Sequence, residues 1–180
     1  MTVDGLLLAA GAGSRMGMPK ALVPGWLVRG VQVLTDGGCA PVTVVLGARA
    51  EEALPLLEGT GASAVVAADW EEGMSASLRA GLAAAAASDA DAVLLMLVDL
   101  PDVGADVVRR LLDPPPVAGT LRRATYAGLP GHPVVLGRDH WAAVAAETSG
   151  DEGAKGYLAG RDVELVECLD LATGRDADTP

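Results

Sequence analysis

The 180-residue chain has no phenylalanine and only 3% aromatic residues, so its core cannot be built around large rings. Val, Leu and Ala must fill it instead, and a hydrophobic fraction of 51% is ample for that and excludes a disordered chain. Cysteine is nearly absent. Cys39 and Cys168 cannot make a disulfide framework, and both sit beside apolar runs as buried, inert thiols do. The two cysteines and two histidines are scattered without ligand spacing, which excludes a zinc cluster. Ser14 has no evident His and Asp partners, so a hydrolase triad is unsupported. Basic residues are scarce: 13 Lys and Arg against 24 Asp and Glu, for a net charge of −11. Such a chain repels nucleic acid and anionic membrane surfaces as a whole, and any anionic ligand needs a local basic site. No apolar run is long enough for a membrane span, and the alanine tract at 83–87 favours an ordinary helix. Asp4 stands where the basic start of a signal peptide would be. The expectation is one cytoplasmic domain over residues 1–180.

What the chain does have is concentrated in residues 6–20, LLLAAGAGSRMGMPK. Leu6, Leu7 and Leu8 suit a buried parallel strand. Gly11, Gly13 and Gly17 permit positive φ and close approach of backbone to a ligand. Successive N–H groups in such a loop form an anion-binding nest. Arg15 can grip a phosphate through two N–H groups, and Lys20 adds a point charge. The loop reads as a cradle for a diphosphate or triphosphate. It is no P-loop, because Lys20 follows Pro19 and precedes Ala21. It departs from the dinucleotide fingerprint too, since its third glycine falls one place late and no acid ends the second strand. Arg49 lies near that strand end and could meet a 2′-phosphate, so an NADP-linked oxidoreductase stays open, as does a noncatalytic nucleotide-binding protein.

Strand and helix signals alternate along the chain. Strands are expected at 6–10, 42–46, 64–68, 92–98, 134–136 and 163–168. Helices are expected at 26–35, 50–57, 75–87, 105–112 and 138–147, with Gly37-Gly38 and Pro114-Pro115-Pro116 as stop signals. The stretch 116–125 reads as short or irregular. This alternation predicts an α/β domain of three layers, a mostly parallel mixed sheet with helices on both faces. Ligands on such sheets bind at the carboxyl ends of strands, where both the first loop and Asp99 fall. Asp99 ends the most apolar strand, and a buried carboxylate there needs a partner. A bound Mg²⁺ is one; a turn or helix-cap hydrogen bond is another, and Asp102 could cap the next helix. Ser75 reads as a helix cap. His132, between Gly131 and Pro133, reads as a loop residue able to act as acid or base near neutral pH. His140, beside Trp141, reads as structural.

The first loop resembles the signature L-A-A-G-x-S-x-R-M-G-x-P-K of the MobA-like nucleotidyltransferases. The segments EGMSASL (72–78), DLP (99–101), PGHP (130–133), GDEG (150–153) and DADTP (176–180) are similar, in order, to molybdenum cofactor cytidylyltransferases. The resemblance implies a Rossmann-like nucleotide-diphospho-sugar transferase fold. It implies CTP as donor, a molybdenum-bound pterin phosphate as acceptor, and a product handed to a molybdenum hydroxylase. Arg15, Lys20 and Asp99 would be catalytic. Leu8, Ala9, Ala10, Gly11, Gly13 and Ser14 would hold the nucleotide, with Asp69, Gly73 and Ser77 reading base and ribose. Pro101, His132 and Asp151 would contact the acceptor. Mg²⁺ would sit on Asp99 and Asp176, with Asp178 as an alternative. Only ALVPG separates Lys20 from the helix at Trp26, fewer residues than in similar chains.

Overall fold

The computed structural model describes residues 2–177. Its first strand, β1 (Val3–Ala9), is buried along its whole length. Leu6 and Leu8 enter one hydrophobic layer, while Leu7 and Ala9 enter the layer on the opposite face. A strand apolar on both faces has to lie inside a sheet covered by helices on both sides.

That sheet contains β2 (Val42–Leu46), β3 (Ser63–Val66), β4 (Ala92–Leu97), β5 (Leu121–Tyr126), β6 (Leu129–Gly137) and β7 (Glu164–Glu167). Their spatial order is β3-β2-β1-β4-β6-β5-β7. Pairing is parallel for β1 with β2, β1 with β4, β2 with β3, and β5 with β7. Only β6 runs against its neighbours β4 and β5. The helices are α1 (Trp26–Gly37), α2 (Ala50–Ala53), α3 (Met74–Ala85), α4 (Ala105–Leu111), α5 (Arg138–Glu147) and α6 (Lys155–Leu158). α1 and α4 pack with Leu7, Val44, Leu94 and Met96 on one face. α3 and α5 pack with Leu6, Leu8, Val93 and Leu95 on the other. Both cysteines are buried and free, as expected. The chain returns from β3 through α3 to β4, on the far side of β1. This reversal opens a crevice at the carboxyl ends of β1 and β4.

The expected alternation holds, with local differences. The helix expected at 50–57 is one α-turn, Ala50–Ala53, continued as a 3-10 turn with Pro55 near its start. Ser75 is not the cap of α3; Gly73 is, and Ser75 lies buried inside the first turn. Asp102 does not cap α4; it accepts hydrogen bonds from the N–H and hydroxyl of Thr173, both 2.6 Å. The stretch expected to be irregular holds β5, and β6 begins five residues before the expected strand.

β5 escapes a periodicity reading because adjacent arginines interrupt it. Arg122 is buried, yet its charge is answered. Its Nη1 donates to Leu111 O at 2.6 Å and Pro114 O at 2.8 Å, and its Nε donates to Glu164 at 2.7 Å. One side chain thus ties β5 to β7 and to the end of α4. Arg122→Ala strands two carbonyls and should lower unfolding free energy by about 3 kcal/mol. Glu164→Gln should cost under ~1 kcal/mol, since Glu164 is largely exposed. Urea denaturation of both variants checks this ordering.

Candidate active site

β1 delivers the chain into the loop 10–19 with Ala9, Ala10 and Gly11 at the crevice. The loop folds on itself: Gly13 O accepts from the N–H of Met16 at 2.9 Å and of Gly17 at 3.0 Å. Gly13 has φ +62°, and a Cβ there would stand 1.9 Å from Met18 O, so no other residue fits. The short ALVPG connection then becomes a 3-10 turn, Lys20–Leu22, which leads through Gly25 (φ +80°) into α1. This places Lys20 at the crevice rather than on a remote loop.

The Lys20 ammonium pairs with the Asp99 carboxylate across the crevice. Asp99 is only 6% exposed. At the end of an apolar strand its charge needs a cation, and Lys20 supplies one. Together they border a cleft of about 310 Å³. Leu8, Ala9, Ala10 and Gly11 line its floor beside Leu97 and Val98. Trp70, Gly73, Met74 and Ser77 form its far wall, and Asp151 closes it. Gly73 (φ +107°) is pressed against this last element, where a Cβ would lie 2.5 Å from an Asp151 carboxylate oxygen. A second depression of about 320 Å³ adjoins the first and shares Gly11 and Lys20; it is lined by Gly13, Ser14, Arg15 and Asp176. The late acidic segment reaches it because Ala177 N donates to Asp99 O at 2.9 Å.

The structure therefore brings together most of the expected site residues. Three stand apart. Asp69 lines neither cavity, and its carboxylate accepts from Arg79 at 3.2 Å. Pro101 is exposed and lines neither. His132 is not in a loop but on β6, outside both cavities. Asp178 lies outside the described residues. Trp70, Met74 and Leu97 line the cleft without having been singled out. Trp70 stands just before the EGMS segment, which was the available signal.

Burial first, and the Arg123 charge second, push the His132 imidazole down to about 4. The neutral ring is thus favoured at pH 7, a form that can accept or donate a hydrogen bond. His140 is structural, as expected: its Nε2 lies 3.1 Å from Gly119 O and its Nδ1 2.8 Å from the Tyr157 hydroxyl. The carbonyl requires a proton on Nε2, so Tyr157 donates to Nδ1. Burial pulls the Asp102 pKa upward, but the Thr173 hydrogen bonds outweigh it and hold the carboxylate below its ordinary range. Among the described residues no three His, Cys, Asp or Glu side chains gather as a metal cluster. Four carboxylates line the two cavities, Glu71, Asp99 and Asp151 in the first and Asp176 in the second. Of these, Asp99 and the Asp176 segment are joined by the Ala177 N to Asp99 O hydrogen bond. One or two such carboxylates suit Mg²⁺, which completes its shell with phosphate oxygens and water.

Between about pH 6.5 and 4 the unfolded chain binds a proton on His132 that the folded chain refuses. Stability should therefore fall as pH drops through that window, by about 3 kcal/mol from this residue. Comparing denaturant midpoints at pH 7 and 4.5, His132→Gln should show a smaller acid loss than the parent chain.

The profile of the MobA-like NTP transferase domain matches residues 5–166. The chain is 39% identical over 197 aligned positions to nicotine blue oxidoreductase of Paenarthrobacter nicotinovorans, covering 98% of this chain and 92% of that one. It is 32% identical over 145 positions to molybdenum cofactor guanylyltransferase of Rhodobacter capsulatus, covering 79% and 67%. Rv0371c of Mycobacterium tuberculosis, solved in complex with manganese, superposes with a TM-score of 0.74 at 25% identity, over 100% of this chain and 91% of that one. Among the described residues no helix is long and apolar enough to cross a membrane. The crevice, its glycine loop and the profile that spans them lead to one family: the chain belongs to the MobA-like nucleotidyltransferases.

Proposed function

We propose that the protein transfers a nucleoside monophosphate, CMP from CTP, to the phosphate of a molybdenum-bound pterin and releases pyrophosphate. The observation that carries this reading is the Lys20–Asp99 pair set against the glycine loop at the β1–β4 crevice. An oxygen of the acceptor phosphate attacks the α-phosphorus of the donor. The bond from that phosphorus to the bridging oxygen breaks, and pyrophosphate leaves with its electrons. A phosphate nucleophile is already ionised, so no general base is required. The work of the protein is alignment and charge neutralisation.

The loop N–H groups and Arg15 would hold the β- and γ-phosphates in the second depression. Lys20 borders both cavities and can donate to phosphate oxygens on either side of the breaking bond. Ser77 and Gly73 would face base and ribose in the first cleft, with Asp151 on the acceptor side. Asp69 could join them only by leaving Arg79, and Pro101 and His132 would meet the acceptor outside the cleft. Asp99 and Asp176 would hold Mg²⁺, which when bound neutralises phosphate charge; the manganese complex of the mycobacterial neighbour supports a divalent ion. The sequence likeness of the PGHP and GDEG segments favours cytosine, whereas the R. capsulatus relative is named for guanylyl transfer. The product would be passed to a molybdenum hydroxylase.

A second reading has its own observation: the relative at 39% identity is named an oxidoreductase. Arg49, the candidate for a 2′-phosphate, is held by Glu52 through two 2.6 Å bonds, and that pair would have to open.

Pyrophosphate release, assayed with Mg²⁺, molybdenum-loaded pterin and each ribonucleoside triphosphate, should be fastest with CTP. Lys20→Ala and Asp99→Asn should each lower kcat/KM by roughly 10²–10³-fold while remaining folded. GTP dependence would keep the chemistry and change the base. NADPH oxidation without pyrophosphate release from any triphosphate would replace this reading with the second.

A further inference from the structure

Arg123 is half-buried, and its Nε donates to Gly131 O at 2.8 Å. Among the described residues its two Nη groups have no hydrogen-bond partner and no carboxylate lies within ion-pair distance. Other half-buried arginines are answered more fully: Arg29 donates through both Nη groups to Leu100 O and Val103 O, and Arg138 donates to two backbone carbonyls. Arg49, Arg79, Arg110, Arg122 and Arg161 all pair with carboxylates. With 24 acidic residues against 13 basic ones, partners are not scarce. The imidazole of His132 is likewise without a hydrogen bond among the described residues, and it lies close enough to Arg123 to feel its charge.

The sheet says where this pair points. Arg123 on β5 is directly opposite Val134 on β6, and Val134 is opposite Leu95 on β4. Arg123 therefore shares the face of Val134, which packs in the layer with α3 and α5. Trp70, Met74 and Leu97, which line the cleft, border the same layer. His132 lies two residues beyond Val134, toward the carboxyl end of β4 where Leu97 and Asp99 stand. A desolvated guanidinium with an open two-pronged fork, beside a neutral imidazole that can donate or accept, matches a phosphate.

We propose that Arg123 and His132 form an anion subsite beside the cleft, which takes the phosphate group of the second substrate. The assignment to the second substrate rests on the nucleotidyl-transfer reading. The triphosphate has its own basic loop, and Arg123 lines neither the loop depression nor the nucleotide cleft. Arg123 would act by positioning: it holds the nucleophilic phosphate from the β6 side while Lys20 and Arg15 serve the donor.

The test is an NMR titration of the whole chain with inorganic phosphate, following the Arg123 guanidinium and His132 ring nitrogens, with and without saturating MgCTP. Saturable shifts of both groups that persist with MgCTP are expected. Arg123→Met should weaken phosphate at least tenfold. Arg123→Lys, which keeps the charge and loses the fork, should fall between and guards against a folding defect in the first variant. In turnover, Arg123→Met should raise KM for the pterin acceptor at least tenfold and change KM for CTP less than twofold. Unchanged phosphate affinity in Arg123→Met, or loss of the phosphate shifts on adding MgCTP, would overturn the subsite. Failure of the wild-type protein to release pyrophosphate from any triphosphate would instead remove the transfer reading. That outcome comes from a separate measurement, and the phosphate titration decides the subsite either way.

Discussion

The parallel pairing of β1 with β4, from Val3 opposite Ala92 to Leu8 opposite Leu97, is the constraint on which the rest of this molecule hangs. It continues one step past the strands, where Val98 N donates to Leu8 O at 3.1 Å. Neighbouring strands lie about 4.8 Å apart, so the start of the glycine loop and the Asp99 carboxylate must emerge side by side. β1 leads through α1 to β2 on one side, and β4 is reached from β3 on the other. The chain diverges at this point and leaves a crevice. Lys20 and Asp99, 79 residues apart in sequence, meet across it. A carboxylate buried at an apolar strand end is costly alone, and the ammonium offsets that cost while remaining partly open to solvent.

The lack of phenylalanine shapes how helices approach this sheet. Where a larger core would interpose rings, glycines let the layers close. A Cβ on Gly30 of α1 would stand 2.7 Å from Leu7, and one on Gly37 would stand 2.3 Å from Val108 of α4. Gly81 of α3 lies as close to Leu6 and Val45 as a side chain permits. The same economy of side chains operates at the site. Gly47 admits Trp70 against the end of β1, and Gly73 admits the Asp151 loop. Cleft walls and core packing are thus set by one composition, in which small residues let backbone segments touch.

Charge is distributed to the same end. The excess of acids leaves few cations, and several arginines are tied to carboxylates that hold surface elements together, as Arg110 is to Asp170 and Arg161 to Glu147. The cationic groups near the carboxyl ends of the strands are Arg15 and Lys20, which border the cavities, and Arg123 on β5. An acidic protein that binds phosphates needs such local concentration, because its overall field works against the ligand.

Much of this was written in the sequence itself. The apolar runs of β4 and of residues 6–9 in β1 state burial on both faces, and the glycines and Pro19-Lys20 of the first loop suggest a backbone shaped around an anion. These are local properties: each follows from residues within a few positions of one another. The sequence did not show β5, because Arg122 and Arg123 look like solvent-exposed residues until Glu164 and the carbonyls of Leu111 and Pro114 are brought around one of them. It could not show that Asp69 is held by Arg79, that Asp102 anchors Thr173 instead of capping a helix, or that His132 lies on a strand with its ring desolvated. Each depends on a partner brought in by the fold. Local sequence determined most of the strands and where the glycine loop begins; tertiary structure alone decided which charges are answered within the protein and which are not, because that depends on what the sheet places alongside.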